Sequence, residues 1–343
     1  MRIVLVAQAI IWYDSPIHKI EYEDGKEHTK MKKYGFGVDI GGTTCKIGLF
    51  EAAGQVVDKW EIPTDKREAG KNILPDIAAS LQQKMAEKSI PSEAIEGIGI
   101  GIPGPVDGNG MVSMCVNLGW KNMDVPQEMQ SLMGGIPVKA GNDANVAALG
   151  EMWQGGGKGC QDLVMVTLGT GVGGGIIIHG QIVAGANGAG GEIGHITVNP
   201  HESIACNCGR KGCLEQYASA TGIARLAKER LAQEHRKSLL DQMEEISAKS
   251  VFDAYKQQDQ TAGEIVEKFA RILGNALSNI ACVADPEVFV IGGGVSKAGM
   301  PLLEAVEKYY KRAAFSSCAD TKFALASLGN DAGIYGGVKM VLE

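Results

Sequence analysis

One pattern occurs twice in this chain and restricts its fold more than any other feature. Residues Tyr34–Ile40 alternate, turn through Asp39-Ile40-Gly41-Gly42-Thr43-Thr44, and return as an apolar run over residues 46–50. About 130 residues later, Leu163–Leu168 enters Gly169-Thr170-Gly171 and returns as the β-branched run of residues 173–179. Each copy reads as strand, glycine turn, strand. A third strand follows each, at residues 55–62 and 181–183. Repetition at that distance predicts two α/β domains of like topology.

The elements between the copies fit that plan. Apolar residues at helical spacing predict helices over residues 73–88, 214–234 and 263–283, the last through Ile265, Phe269, Ile272, Leu273, Ala276 and Ile280. A helix opening near Pro126 stops by Gly134-Gly135. Shorter helices are expected around residues 238–245, 250–257, 301–313 and 333–342. Strands are expected at residues 95–102, 111–117, 136–140, 288–291 and 323–326. Residues 154–159 read as a linker.

Composition narrows the function. The 343 residues carry a net charge of −7, so no broad basic face is available for nucleic acid. The apolar run over residues 3–13 is too short to span a bilayer, and no small-residue cleavage site follows it. Residues 1–30 are expected to be an appendage outside the fold. Eight cysteines are too few for a disulfide scaffold and predict a reduced, cytoplasmic protein. The 47 glycines cluster beside apolar β-branched runs, as expected of tight turns near ligands.

Gly169 to Gly174 fits G-x-G-x-x-G, but a β-branched run follows where a dinucleotide fold needs a helix. The sequence also lacks a P-loop. Asp39-x-Gly41-Gly42-Thr43-Thr44 reads instead as a phosphate turn. Its glycines allow close backbone approach, its threonines donate hydrogen bonds, and its carboxylate is placed to hold Mg²⁺. A third glycine turn is Gly292-Gly293-Gly294.

Asp143, between a strand and a helix, is a candidate general base projecting into a cleft. An Asn142-Asp143 pair before a helix is equally an N-cap, and the residues alone leave both readings open. Asp107 is the next acid. Cys206, Cys208 and Cys213, interleaved with glycines, offer three thiolates for a structural zinc that wants four donors. Spacing leaves His195 and His201 both open as the fourth, and a disulfide within the cluster is the competing reading.

These motifs resemble those of the actin-type ATPase and sugar-kinase superfamily. Within it the chain resembles the ROK family (repressors, open reading frames and kinases), bacterial glucokinase type, from Lys33 onward. The resemblance rests on Asp39–Thr44, residues 168–174, Gly292–Gly294, Asn142-Asp143-Ala144-Asn145, Glu192-Ile193-Gly194-His195 and the stretch from Cys206 to Glu215. It implies two ribonuclease H-like (actin-type ATPase) domains with a cleft between them. These would span residues 31–148 and 149–330, with a final helix over about 331–343 returning to the first. It implies an ATP-dependent glucose kinase with Asp143 as base. The sugar would be read by Gly104, Asn117, Asn142, Asp143, Glu192, His195 and Glu215. The nucleotide would be held by Asp39, Gly41, Gly42, Thr43, Thr44, Gly169, Thr170, Gly171, Gly292, Gly293 and Gly294. Zn²⁺ would be held by His195, Cys206, Cys208 and Cys213, the family pattern choosing His195. ATP, Mg²⁺ and Zn²⁺ are the implied cofactors, and a homo-oligomer (dimer or tetramer) is expected. Another hexose (N-acetylmannosamine, fructose or allose) is the neighbouring alternative. A sugar-responsive DNA-binding regulator is a remote one, because the acidic chain shows no helix-turn-helix pattern before the sugar fold.

Overall fold

A computed structural model describes residues 33–233 and 237–342, which lie within one unit, Lys32–Glu343. The expected appendage, residues 1–30, falls outside the described residues. Twelve strands are present among them: β1 Tyr34–Ile40, β2 Thr44–Glu51, β3 Val56–Pro63, β4 Ile95–Ile102, β5 Met111–Cys115, β6 Trp120–Asp124, β7 Val138–Asn142, β8 Leu163–Leu168, β9 Val172–Ile178, β10 Gln181–Ile182, β11 Val288–Gly292 and β12 Lys322–Leu325.

The repeated pattern builds two five-stranded sheets of the same order, β3-β2-β1-β4-β7 and β10-β9-β8-β11-β12. In each, three antiparallel strands are followed by two parallel ones. β5 and β6 form a separate hairpin. The strand β6 carries no clear alternation and was not expected. Phe36, Val38, Ile47, Ile98 and Ile100 fill the core of the first sheet; Val164, Val166, Phe289 and Ile291 fill that of the second. Helix Gln260–Ala284 is capped by Asp259, whose side chain accepts from the Ala262 N–H, and buries Ile265, Phe269, Leu273 and Ala276 as its spacing requires. Among the described residues no helix is long and apolar enough to cross a membrane.

Two helix expectations fail for local reasons. The apolar period over residues 214–234 runs unbroken, yet the chain forms Glu215–Ala218 and Ala220–Gln233, with Ser219 extended between them (φ −73°, ψ 166°). The Ser219 hydroxyl accepts from the Gly222 N–H, starting the second helix afresh. The helix expected at residues 238–245 is a single 3-10 turn, Leu239–Gln242, held by a Ser238/Asp241 capping box.

Much of the glycine excess serves packing rather than turns. Helix Ala332–Val341 lies against β1, β4 and helix Asp143–Gln154. A Cβ at Gly37 would stand 1.8 Å from the Ile334 carbonyl, one at Gly99 1.7 Å from that of Gly337, and one at Gly150 2.2 Å from that of Ala332. Backbone meets backbone there, and no rotamer change relieves a clash. Gly99→Ala is expected to cost about 3 kcal/mol of stability, measured by urea denaturation.

Candidate functional site

The ends of β4, β7, β8 and β11 meet around helix Asp143–Gln154. Asn142, at the end of β7, is the N-cap: its Oδ1 accepts from the Ala144 and Asn145 N–H groups (3.0 and 3.1 Å). Its Nδ2 donates to the Gly104 carbonyl (3.0 Å) and to Asp143 Oδ1 (2.9 Å). Asp143 Oδ1 also accepts from the Ala144 N–H at 2.8 Å. Capping therefore falls to Asn142. Among the described residues no hydrogen bond reaches Asp143 Oδ2. Asn142 was expected to read sugar, but its amide is fully engaged within the protein, and it lines a space other than the cleft facing Asp143.

Asp143 stands where two open spaces join. One, of about 820 Å³, is lined by Gly104, Asn117, Glu192 and Glu215 together with Gly169, Thr170 and Gly171. The other, of about 640 Å³, is lined by Asp39, Lys46, Gly293, Gly294 and Lys297. Asp143, Thr167 and Gly293 border both. Gly294 and Lys297 continue into a third, mostly apolar pocket of about 320 Å³ with Phe252 and Val295. Neighbouring spaces thus share lining residues, with Asp143 at the junction of the first two.

Several expected residues lie elsewhere. Gly41, Gly42, Thr43 and Thr44 line none of these spaces. Their turn is fixed from outside by Thr64, whose hydroxyl donates to the Gly41 carbonyl (2.8 Å) and whose N–H donates to that of Thr43 (2.9 Å). Gly292 is buried at the end of β11. Asp107 holds a turn, accepting from the Asn109 and Met111 N–H groups, and does not line the cleft. Lys46, Thr167 and Lys297 were missed. Lys46 had a local signal, since it faces Asp39 across β1 and β2.

The second glycine turn is held by the break at Ser219. The Ala220 N–H donates to the Gly169 carbonyl (2.8 Å), and the Thr221 hydroxyl donates to that of Thr170 (2.8 Å). Glu215 bridges this turn to the cysteine loop. Its Oε2 accepts from the Val172 N–H (3.2 Å), and its Oε1 accepts from the Cys206 thiol (3.5 Å). A Cβ at Gly171 would lie 2.2 Å from Glu215 Oε2, so a side chain there would displace the Glu215 carboxylate.

His195 Nδ1, Cys206, Cys208 and Cys213 converge. Their ligand atoms all lie within 4.8 Å of one another, with Cys208 and Cys213 sulfurs 3.7 Å apart and His195 Nδ1 3.9 Å from Cys206 Sγ. A tetrahedral zinc with Zn–S bonds of about 2.3 Å needs S···S edges of roughly 3.8 Å, so the donor set fits that ion. His201 is exposed and outside the group, and all the cysteines are unpaired by disulfides. His195 does not line the cleft.

Burial raises Asp39 to about 6, with the Asp143 charge adding and Lys46 opposing. Burial also raises Asp143, against its bonds from Ala144 and Asn142 and with the Glu192 charge adding. Gly333 leaves room for Asp39, since a Cβ there would stand 2.6 Å from Asp39 Cγ. A raised carboxyl binds its proton better folded than unfolded, so the ligand-free protein loses stability as pH rises from about 4 to about 6. Asp39→Asn is expected to stabilise the ligand-free protein by about 3 kcal/mol at pH 7, a gain that is mostly lost near pH 4. Urea titrations at the two pH values check this.

The sequence model of the ROK family matches residues 35–343. The chain belongs to the ROK family. It is 45% identical over 313 residues to a glucokinase of Halalkalibacterium halodurans, covering 90% of this chain and 94% of that one. With a glucokinase of Thermotoga maritima it shares 36% identity over 90% of this chain and 96% of the relative. Its structure is similar to that of a ROK family glucokinase from Streptomyces griseus in complex with glucose and AMPPNP, with a TM-score of 0.68 and 32% identity over 90% of this chain and 99% of that one. The fold of this ROK chain is therefore the actin-type ATPase fold, mixed α/β with paired sheets.

Proposed function

We propose that this ROK protein transfers the γ-phosphoryl group of ATP to the 6-hydroxyl of glucose. The observation that carries the reading is the position of Asp143, which borders both the space lined by Asn117, Glu192 and Glu215 and the space lined by Asp39, Gly293 and Lys297. A hydroxylated ring fits the first, because ionised carboxylates accept from vicinal hydroxyls. The adenine fits the apolar pocket of Phe252 and Val295, and its phosphates run past Gly294 and Lys297 toward Thr170. Both glucokinase relatives and the glucose–AMPPNP complex support this choice of substrates.

In the reaction, sugar O6 attacks the γ-phosphorus in line while the bond to the β-phosphate oxygen breaks and ADP leaves. Asp143 accepts the O6 proton. Asn142 Nδ2, itself anchored on the Gly104 carbonyl, and the Ala144 N–H both donate to Asp143 Oδ1, which leaves Oδ2 for the substrate. Asp39 would hold Mg²⁺, which supplies charge neutralisation for the phosphates. The two raised carboxylates are a site that a cation would relax. Zinc on His195, Cys206, Cys208 and Cys213 would be structural, a closed four-donor site with Glu192 and Glu215 at its flanks. His195 would bind it through Nδ1, the ring nitrogen 3.9 Å from Cys206 Sγ. Residues 31–148 and 149–330 would act as the two lobes around the cleft.

A coupled ADP-release assay over glucose, N-acetylmannosamine, fructose and allose tests the reading. Glucose is expected to give the highest kcat/KM. A higher value for another hexose would reassign the substrate, and no release with any of them would remove the kinase reading.

A further inference from the structure

Glu151 is 0% exposed, and no cation among the described residues pairs with it. It sits two turns after Asp143 on helix Asp143–Gln154. Its carboxylate is held by three backbone N–H groups. Oε2 accepts from Gly156 (2.8 Å) and Ser327 (3.0 Å), and Oε1 accepts from Leu328 (2.9 Å). The glycines after the helix, read from sequence as a linker, make room for it. A Cβ at Gly155 would stand 1.9 Å from Glu151 Oε2, and one at Gly156 2.3 Å from the Leu325 carbonyl.

Ser327 and Leu328 belong to the loop after β12. Its neighbours Ala326, Ser327, Gly329 and Asn330 form a wall of the 640 Å³ space that also holds Asp39 and Asp143. From the other side Lys46 Nζ donates to the Asn330 carbonyl at 3.3 Å. An ionised carboxylate is acceptor-only with two oxygens, so it can take three converging N–H groups that no neutral side chain satisfies at once. Burying it without a cation is costly, and only those three bonds offset the cost.

We propose that Glu151 is a positioning residue that fixes the nucleotide wall of the cleft to the helix that begins with Asp143. The proposal rests on reading that cleft as the ATP site. Glutamine at 151 keeps one acceptor oxygen and turns an NH₂ toward an N–H, so one charge-assisted bond is lost. That loss corresponds to about a tenfold change.

The test uses Glu151→Gln in the full chain. KM for ATP is expected to rise about tenfold while KM for glucose stays within about twofold, and amide exchange over residues 326–330 accelerates. Leu328→Pro supplies a second variant, because it deletes a single donor at a backbone φ of −81° that proline tolerates. It should shift the same parameters in the same direction even if Glu151→Gln fails to fold. Unchanged KM for ATP in a folded variant, or both KM values moving together, would overturn the proposal. AMPPNP calorimetry separates this from the substrate reading. If the wild-type chain phosphorylates no hexose but binds AMPPNP, weaker binding by the variants still supports the role of Glu151. Equal binding, or no AMPPNP binding by the wild type, overturns it.

Discussion

Asp143→Asn will lower kcat for sugar phosphorylation by about 10³-fold, with the fold and metal content unchanged. The size is that expected for losing a general base, the role proposed for Asp143. The stability forecast follows from the division of labour at the start of the helix. Asn142, not Asp143, bonds both the Ala144 and Asn145 N–H groups. Removing the Asp143 charge therefore leaves the cap in place and relieves a desolvated carboxylate. Asn142→Ala should behave in the opposite way, destabilising by about 1 kcal/mol through the lost cap. The pH dependence has a definite sign. The base must be ionised, and burial raises Asp143, so kcat/KM should fall on the acid side at a pH above the ordinary carboxylate range. Circular dichroism, metal analysis and initial rates on one preparation decide the matter. Asp143→Asn retaining a tenth or more of wild-type kcat would remove Asp143 from the role.

What the sequence disclosed was whatever local pattern could encode. The doubled strand–turn–strand unit foretold two sheets of one order, because period-two alternation and glycine turns are properties of neighbouring residues. The cysteine cluster announced itself by its spacing. Spacing alone leaves His195 and His201 open, and the family resemblance chooses His195, the histidine that the chain path brings beside the three cysteines. Glu151 had no such signal: two of its partners, Ser327 and Leu328, lie more than 170 residues away and offer only backbone N–H groups. The break at Ser219 was hidden because the apolar period runs straight through it, and its reason is the tie from Ala220 to Gly169. The glycines misled in the other direction. Their abundance reads as tight turns near ligands, yet those at 37, 99, 150, 336 and 337 lie inside strands and helices, where the contacts of the last helix make them packing residues.

Cys213→Ser is expected to abolish zinc binding at the proposed site and to raise KM for glucose about 10- to 100-fold, with a smaller effect on kcat and little on KM for ATP. Backbone bonds from Val198 to Gly212 (2.8 Å), Leu214 to Ile196 (2.9 Å) and Cys206 to Arg210 (2.7 Å) hold the loop's own turns, and zinc would add the link among His195 and the three cysteines. Isolated backbone bridges join Thr197 to Cys213 and Ala205 to Lys211, and the sulfur contacts at 3.7–3.9 Å are weak. Both ends of the loop reach the cleft, Glu192 just before His195 and Glu215 just after Cys213. Loosening the loop therefore frees two carboxylates that face the sugar. Asp143 is anchored separately by Asn142 and Gly104, and the apolar pocket of Phe252 and Val295 lies outside the loop. A catalytic metal would show the reverse split, with kcat collapsing and KM little changed. His195→Ala should match Cys213→Ser, whereas His201→Ala should match the wild type. Elemental analysis must accompany the kinetics, because an unchanged glucose KM in verified zinc-free protein would mean that the loop holds its shape through backbone bonds alone.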